Sequence, residues 1–154
     1  MYEGMVYGSI TIYIIIIATL IASLVLAGNN VADFTTSSTD GKGSVDAVLL
    51  LSSFMSILIL FSLFSIFLLF KHRKINIFEA NNETTNYFFT CNAIILAFAL
   101  LSIMPAISLL IEIDEANGFT VTYLIGAVLA VLMPLLVVST SLYKTKSKNW
   151  FIKY

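Results

Sequence analysis

Read along the chain for hydrophobic and polar positions, the sequence falls into four long apolar blocks separated by three polar segments. The blocks cover residues 5–27, 47–70, 88–111 and 119–143, and none contains Asp, Glu, Lys, Arg or His. Each matches the roughly 20 residues that a helix rising about 1.5 Å per residue needs to cross about 30 Å of hydrocarbon. A helix satisfies its own backbone amides, which hydrocarbon cannot do. The pattern therefore predicts an all-α integral membrane protein, one domain over residues 1–154 built as a four-helix transmembrane bundle. The segments between the blocks, "GNNVADFTTSSTDGKGSVD", "KHRKINIFEANNETTNY" and "EIDEANG", carry the Gly, Asn, Asp and Ser expected of turns.

Charge adds an orientation. Seven of the eight Lys and Arg residues fall on one side of the predicted spans: Lys71, Arg73 and Lys74 in the middle segment, and Lys144, Lys146, Lys148 and Lys153 in the tail. Only Lys42 falls on the other, together with Asp33, Asp40, Asp46, Glu112, Asp114 and Glu115. The positive-inside bias then predicts that both termini and the middle segment are cytoplasmic. The single N-glycosylation sequon, Asn82-Glu83-Thr84, lies in the basic segment and is expected to stay unmodified; a glycan on Asn82 would reverse the topology. "VLAG" at Val25 to Gly28 resembles a signal-peptide cleavage site, but no Lys or Arg precedes the first block, so an uncleaved first helix is expected.

Composition supports the membrane reading and removes several function classes. The chain is 59% hydrophobic and 11% charged, with a mean hydropathy of +0.98, against about 25% charged residues in an ordinary soluble domain. A formal net charge of −1 and the absence of a basic domain argue against nucleic acid as a partner. The one cysteine, Cys91, forms no internal disulfide and sits in an apolar run, where packing is its expected role.

The stretch "STDGKGSVD" from Ser38 to Asp46 imitates part of a calcium loop. Aligned on Gly43, the fifth ligand position is Lys42 and the twelfth, which needs a bidentate Glu, is Leu49. An ammonium in place of an oxygen ligand repels the ion, so no metal site is expected, and Asp40-Gly41 and Lys42-Gly43 read instead as tight turns. The acidic run Glu112 to Glu115 reads as a solvated helix end.

Ionisable groups at depth mark ion paths, relays and cofactor ligands. The four blocks have none, and the sole histidine, His72, stands at the membrane edge within "KHRK", so no cofactor and no catalytic residue is expected. The hydroxyls Ser52, Ser53, Ser56, Ser62 and Ser65 have no base nearby and do not form one stripe at about 100° per residue, which argues against a continuous polar lining. Small residues are more informative. Gly4, Gly8, Thr11, Ala18, Thr19 and Ala22 share about a 100° arc of the first helix, and Thr122, Gly126 and Ala130 step at four-residue intervals in the last. Both are surfaces on which another helix can approach closely. Phe54, Phe61, Phe64, Phe67 and Phe70 give the second helix a bulky surface instead. Pro105 and Pro134 each follow a Met inside a block and are expected to kink their helices. Lys71, Arg73, Lys74, Lys144, Lys146 and Lys148 are expected to meet anionic headgroups, with Trp150, Phe151 and Tyr154 in the interface.

These features predict a multi-pass, non-catalytic protein that works by contact, as an accessory or structural subunit or scaffold of a larger membrane assembly. Its expected partners are membrane lipids and other membrane subunits or further copies of itself. The competing expectation is a small channel or carrier for small or apolar solutes, hinged at the two prolines.

Overall fold

A computed structural model describes residues 2–36, 42–71, 83–112 and 118–151, with side-chain environments for 4–28, 48–71, 85–111 and 118–139. These residues form four helices, α1 (Tyr2–Thr36), α2 (Lys42–Lys71), α3 (Glu83–Glu112) and α4 (Gly118–Phe151), and no strand occurs among the described residues. Each helix contains a segment long and apolar enough to cross a membrane: Gly4–Gly28, Val48–Lys71, Thr85–Ile111 and Gly118–Ser139. The run Ile14 to Ile17 in α1 would favour a strand on the pleated surface of a soluble sheet. In hydrocarbon the helix wins because an open strand would leave its amides unpaired.

The helices outrun the apolar blocks. α1 is 35 residues long, about 52 Å at 1.5 Å per residue, and continues through Gly28 to Thr36, a stretch expected to be turn. An apolar block measures the thickness of hydrocarbon, and a helix already nucleated there extends readily into the polar zone. The expected turn at Lys42-Gly43 is corrected for the same reason. Both residues belong to α2, and no glycine among the described residues has positive φ. The helix also occupies the calcium-loop register from Lys42 onward, where that loop would have to fold around an ion. Asp40-Gly41 and the sequon residue Asn82 lie outside the described residues.

Each helix packs on its two neighbours, α1 on α2, α2 on α3, α3 on α4 and α4 back on α1. The result is a four-cornered, up-down-up-down bundle. Met5 of α1 and Val137 of α4 line one groove, whereas Leu26 and Gly118 meet further along, so α1 and α4 run antiparallel with the first and last helix ends on the same side.

The buried positions recur at intervals of three and four. In α2 the series runs Val48, Leu51, Met55, Leu58, Ser62, Ser65 and Leu69, with Leu68 buried beside it; in α3 it runs Thr85, Phe88, Asn92, Ile95, Ala99, Ser102, Ala106 and Leu109, with Cys91 buried beside Asn92. That spacing, averaging 3.5 residues, keeps one seam turned inward along the whole span, as in heptad-based helix packing. Outside the seam the surface is equally apolar, with Leu60, Leu63, Phe67, Leu101, Met104, Leu132 and Leu136 about half or more exposed. This is a protein whose exterior is solvated by lipid.

Candidate functional site

The seam contains most of the buried polar side chains, and helical register places them in two layers. Towards the end that carries Met5, Lys71 and Val137, the phenol of Tyr13 on α1 donates to Asn92 Oδ1 on α3 at 2.5 Å. Asn92 Nδ2 in turn donates to the Phe88 carbonyl at 2.8 Å. The Ser65 side chain on α2 approaches the same phenol while its hydroxyl donates to Phe61 O at 2.9 Å. Tyr13 and Asn92 stand on opposite corners of the bundle, so their bond crosses its axis. Tyr13 is 0% exposed and Asn92 1%, which keeps water from competing for either group.

Nearer the other end, Ser23 of α1 donates to the Phe119 carbonyl of α4 at 3.2 Å. Ser102 of α3 donates to its own helix at Ala99 O, 2.8 Å away, beside the phenol of Tyr123. Two buried hydroxyls, Tyr123 Oη here and Ser62 Oγ in α2, make no hydrogen bond. The arrangement contains amide, phenol and alcohol groups and, among the described residues, no acidic or basic side chain within the seam. Its chemistry is that of hydrogen-bonded registration of helices. Among the described residues there is also no group of three or more His, Cys, Asp and Glu able to hold a metal ion. Cys91, next to Asn92 on α3, is a free, buried thiol.

The small residues divide. On α4, Gly126 and Ala130 are buried against the bundle, and Thr122 is half-buried with its hydroxyl on Gly118 O at 2.6 Å. A Cβ added at Gly126 would stand 3.0 Å from Leu20 Cδ2 and 3.2 Å from Thr19 Oγ1, so this glycine sets how closely α4 approaches α1. On α1, Gly4, Gly8, Thr11, Ala18 and Ala22 are all exposed. A Cβ at Gly4 or Gly8 would meet nothing within 4 Å. At about 100° per residue this face lies nearly opposite the buried face formed by Val6, Ile10, Tyr13, Ile16, Leu20, Ser23 and Ala27. Gly4, Thr11, Ala18 and Ala22 are turned away from the other three helices, and Gly8 stands at the margin of the face towards α4.

The remaining sequence-derived positions separate in the same way. Phe64, Phe67 and Phe70 are exposed, whereas half-buried Phe54 faces Phe98 with ring centroids 5.8 Å apart. Both α3 and α4 continue through their prolines, Pro105 half-buried and Pro134 buried. Lys71 closes α2 with Nζ 5.8 Å above the centre of the Phe67 ring. Arg73 and Lys74 lie outside the described residues, and Lys144, Lys146 and Lys148 are on the helical continuation of α4. Of the second-helix serines, Ser52, Ser53 and Ser56 each bond a carbonyl of their own helix, at 2.7, 3.0 and 2.9 Å.

Nothing in the pattern of charged residues along the chain marks Tyr13, Ser23, Asn92, Ser102 or Tyr123. Asn92 had a usable signal: it is the only Asn or Gln inside the four apolar blocks. A carboxamide costs free energy in hydrocarbon unless a neighbouring helix bonds it.

Fold and site together define a four-span helical membrane protein with a hydrogen-bonded, closely packed interior. No protein-family model, curated protein or solved structure matches the chain.

Proposed function

We propose that this chain is a non-catalytic structural or accessory subunit that acts by lateral contact with other membrane helices, and that the small-residue face of α1 is its contact surface. One observation carries the reading: Gly4, Thr11, Ala18 and Ala22, with Gly8 at the margin, form an exposed face turned away from the chain's own bundle. A partner helix can approach there more closely than lipid-facing Leu or Phe allows, and close approach is the main source of helix affinity inside a bilayer. The interior is a poor candidate for a solute path, since its polar groups are spaced along the seam between fully buried Leu20, Met55, Leu58 and Ala127. Following the positive-inside bias, the reading places both termini and the middle segment in the cytoplasm.

The test is purification from native membranes in mild detergent, followed by mass measurement of the intact assembly. A defined complex or oligomer is expected, dissociated by Gly4→Leu with Ala18→Leu while helix content is retained. A lone monomer in every mild detergent refutes the reading. The competing reading, a channel or carrier for small solutes, draws on the two unbonded buried hydroxyls of Ser62 and Tyr123. It requires solute flux in reconstituted liposomes that changes in Ser62→Leu.

A further inference from the structure

α1 and α4 touch closely at Gly126 but part towards their basic end, leaving an open groove of about 230 Å³ lined by Met5, Gly8, Ser9, Ile12, Met133, Leu136 and Val137. The groove exists because residue 8 has no side chain: its added Cβ would point into space empty to 4 Å. The floor, Met133 and Val137, is 2% exposed. Apart from the Ser9 hydroxyl, the lining side chains are apolar. A concave apolar strip facing hydrocarbon loses dispersion contacts unless something flexible fills it.

The helical continuation of α4 indicates what fills it. Lys144 and Lys148 follow Val137 by seven and eleven residues, two and three turns, which places both Cα positions within about 20° of Val137 around the helix and roughly 10 and 16 Å further along it. Lys146 falls on the opposite face, about 180° away. The groove's own face of α4 thus passes from apolar lining to two lysine positions beyond the end of the apolar span Gly118–Ser139. Glu3, in the first turn of α1, is the acidic residue at that end of the helix pair, so the two lysines leave an excess of positive charge.

We propose that the groove between α1 and α4 binds one acyl chain of an anionic phospholipid whose phosphate lies at the level of Lys144 and Lys148. This is a lipid site distinct from the small-residue face of α1, which is centred near Gly4 and shares with the groove only Gly8 at its margin.

The full chain is reconstituted in nanodiscs of phosphatidylcholine containing a minor fraction of phosphatidylglycerol, released, and weighed by native mass spectrometry. One retained phosphatidylglycerol per chain is expected, favoured over phosphatidylcholine by about twenty-five-fold from two lysines at roughly fivefold each. Gly8→Leu fills the groove with little disturbance of the fold and abolishes retention, whereas Gly4→Leu, outside the groove, leaves it intact even if it breaks a partner contact. Lys144→Gln with Lys148→Gln reduces the preference about twenty-five-fold and Lys146→Gln leaves it unchanged. Equal retention of both lipids, equal sensitivity to all three lysines, retention unaffected by Gly8→Leu, or a lipid-free dimer with the groove covered by a second copy would each overturn the proposal.

Discussion

The bond from Tyr13 to Asn92 provides a quantitative test of the bundle, because it joins opposite corners and both partners are buried. Tyr13→Phe deletes one oxygen, opens almost no cavity and leaves Asn92 Oδ1 without its 2.5 Å donor. Leaving a buried acceptor unpaired costs about 1–3 kcal/mol, but interhelical hydrogen bonds in bilayers average only about 0.6 kcal/mol and reach about 1.7. Together these place the loss near 1–1.5 kcal/mol. Asn92→Leu should cost about the same by stranding the phenol. It leaves the Phe88 carbonyl satisfied, since that oxygen accepts the Asn92 amide only in addition to the ordinary helical bond at the same spacing. The double variant strands neither group, so it should be less destabilised than the sum of the singles by about 1 kcal/mol, the signature of direct coupling. Unfolding in mixed micelles, followed by helical circular dichroism over a denaturing-detergent titration, reads all four corners of the cycle. Strict additivity, or two neutral single variants, would show that the bond contributes nothing and that apolar packing alone sets how α1 and α3 are registered.

Four further outcomes follow from the same geometry. The two buried tyrosines should respond with opposite sign: Tyr123→Phe removes a phenol that makes no hydrogen bond and should raise stability by about 0.5–1 kcal/mol, in contrast to Tyr13→Phe in the same titration. Ser62→Ala, which removes the other unbonded buried hydroxyl, should likewise be neutral or stabilising, and a loss above about 1 kcal/mol would reveal a missed partner. Gly126→Leu must push Leu20, already 3.0 Å from the added Cβ, and should cost about 1–3 kcal/mol by overpacking, whereas Gly4→Leu should leave the isolated chain's unfolding midpoint unchanged. Finally, cysteines placed at Lys71 and Lys148 in a Cys91→Ala background should be labelled by an impermeant reagent from the same side of sealed vesicles; labelling from opposite sides would mean an odd number of crossings between them.

How much of this was legible in the sequence depends on the physical signal behind each feature. The four spans were, because blocks without ionised groups are read by length alone, and the predicted limits 88–111 and 119–143 fall close to the spans Thr85–Ile111 and Gly118–Ser139. The helix ends were not, because Gly43 and Asn29 look like turn residues yet lie in helices that project beyond the hydrocarbon. The serines show the difference most clearly. Ser53 and Ser56 are exposed and bond their own helix, whereas Ser62 and Ser65, nine or more residues further on from Ser53, are fully buried. Their differing helical angles were readable, but nothing in the angles says which side is inside.

The sequence by itself determined that this chain crosses a membrane four times as helices and carries seven of its eight cations on one side of those spans, since hydrocarbon excludes charge and unpaired amides whatever the helices do to one another. Only the tertiary structure decided which face of each helix is buried, that Tyr13 meets Asn92 across the bundle, and that the small residues of α1 face outward while Gly126 of α4 faces in. In water, burial separates apolar from polar positions and so leaves its mark on the hydrophobic pattern. Between a lipid-facing Leu63 and a buried Leu58 there is no such difference, and shape together with a few hydrogen bonds makes the choice.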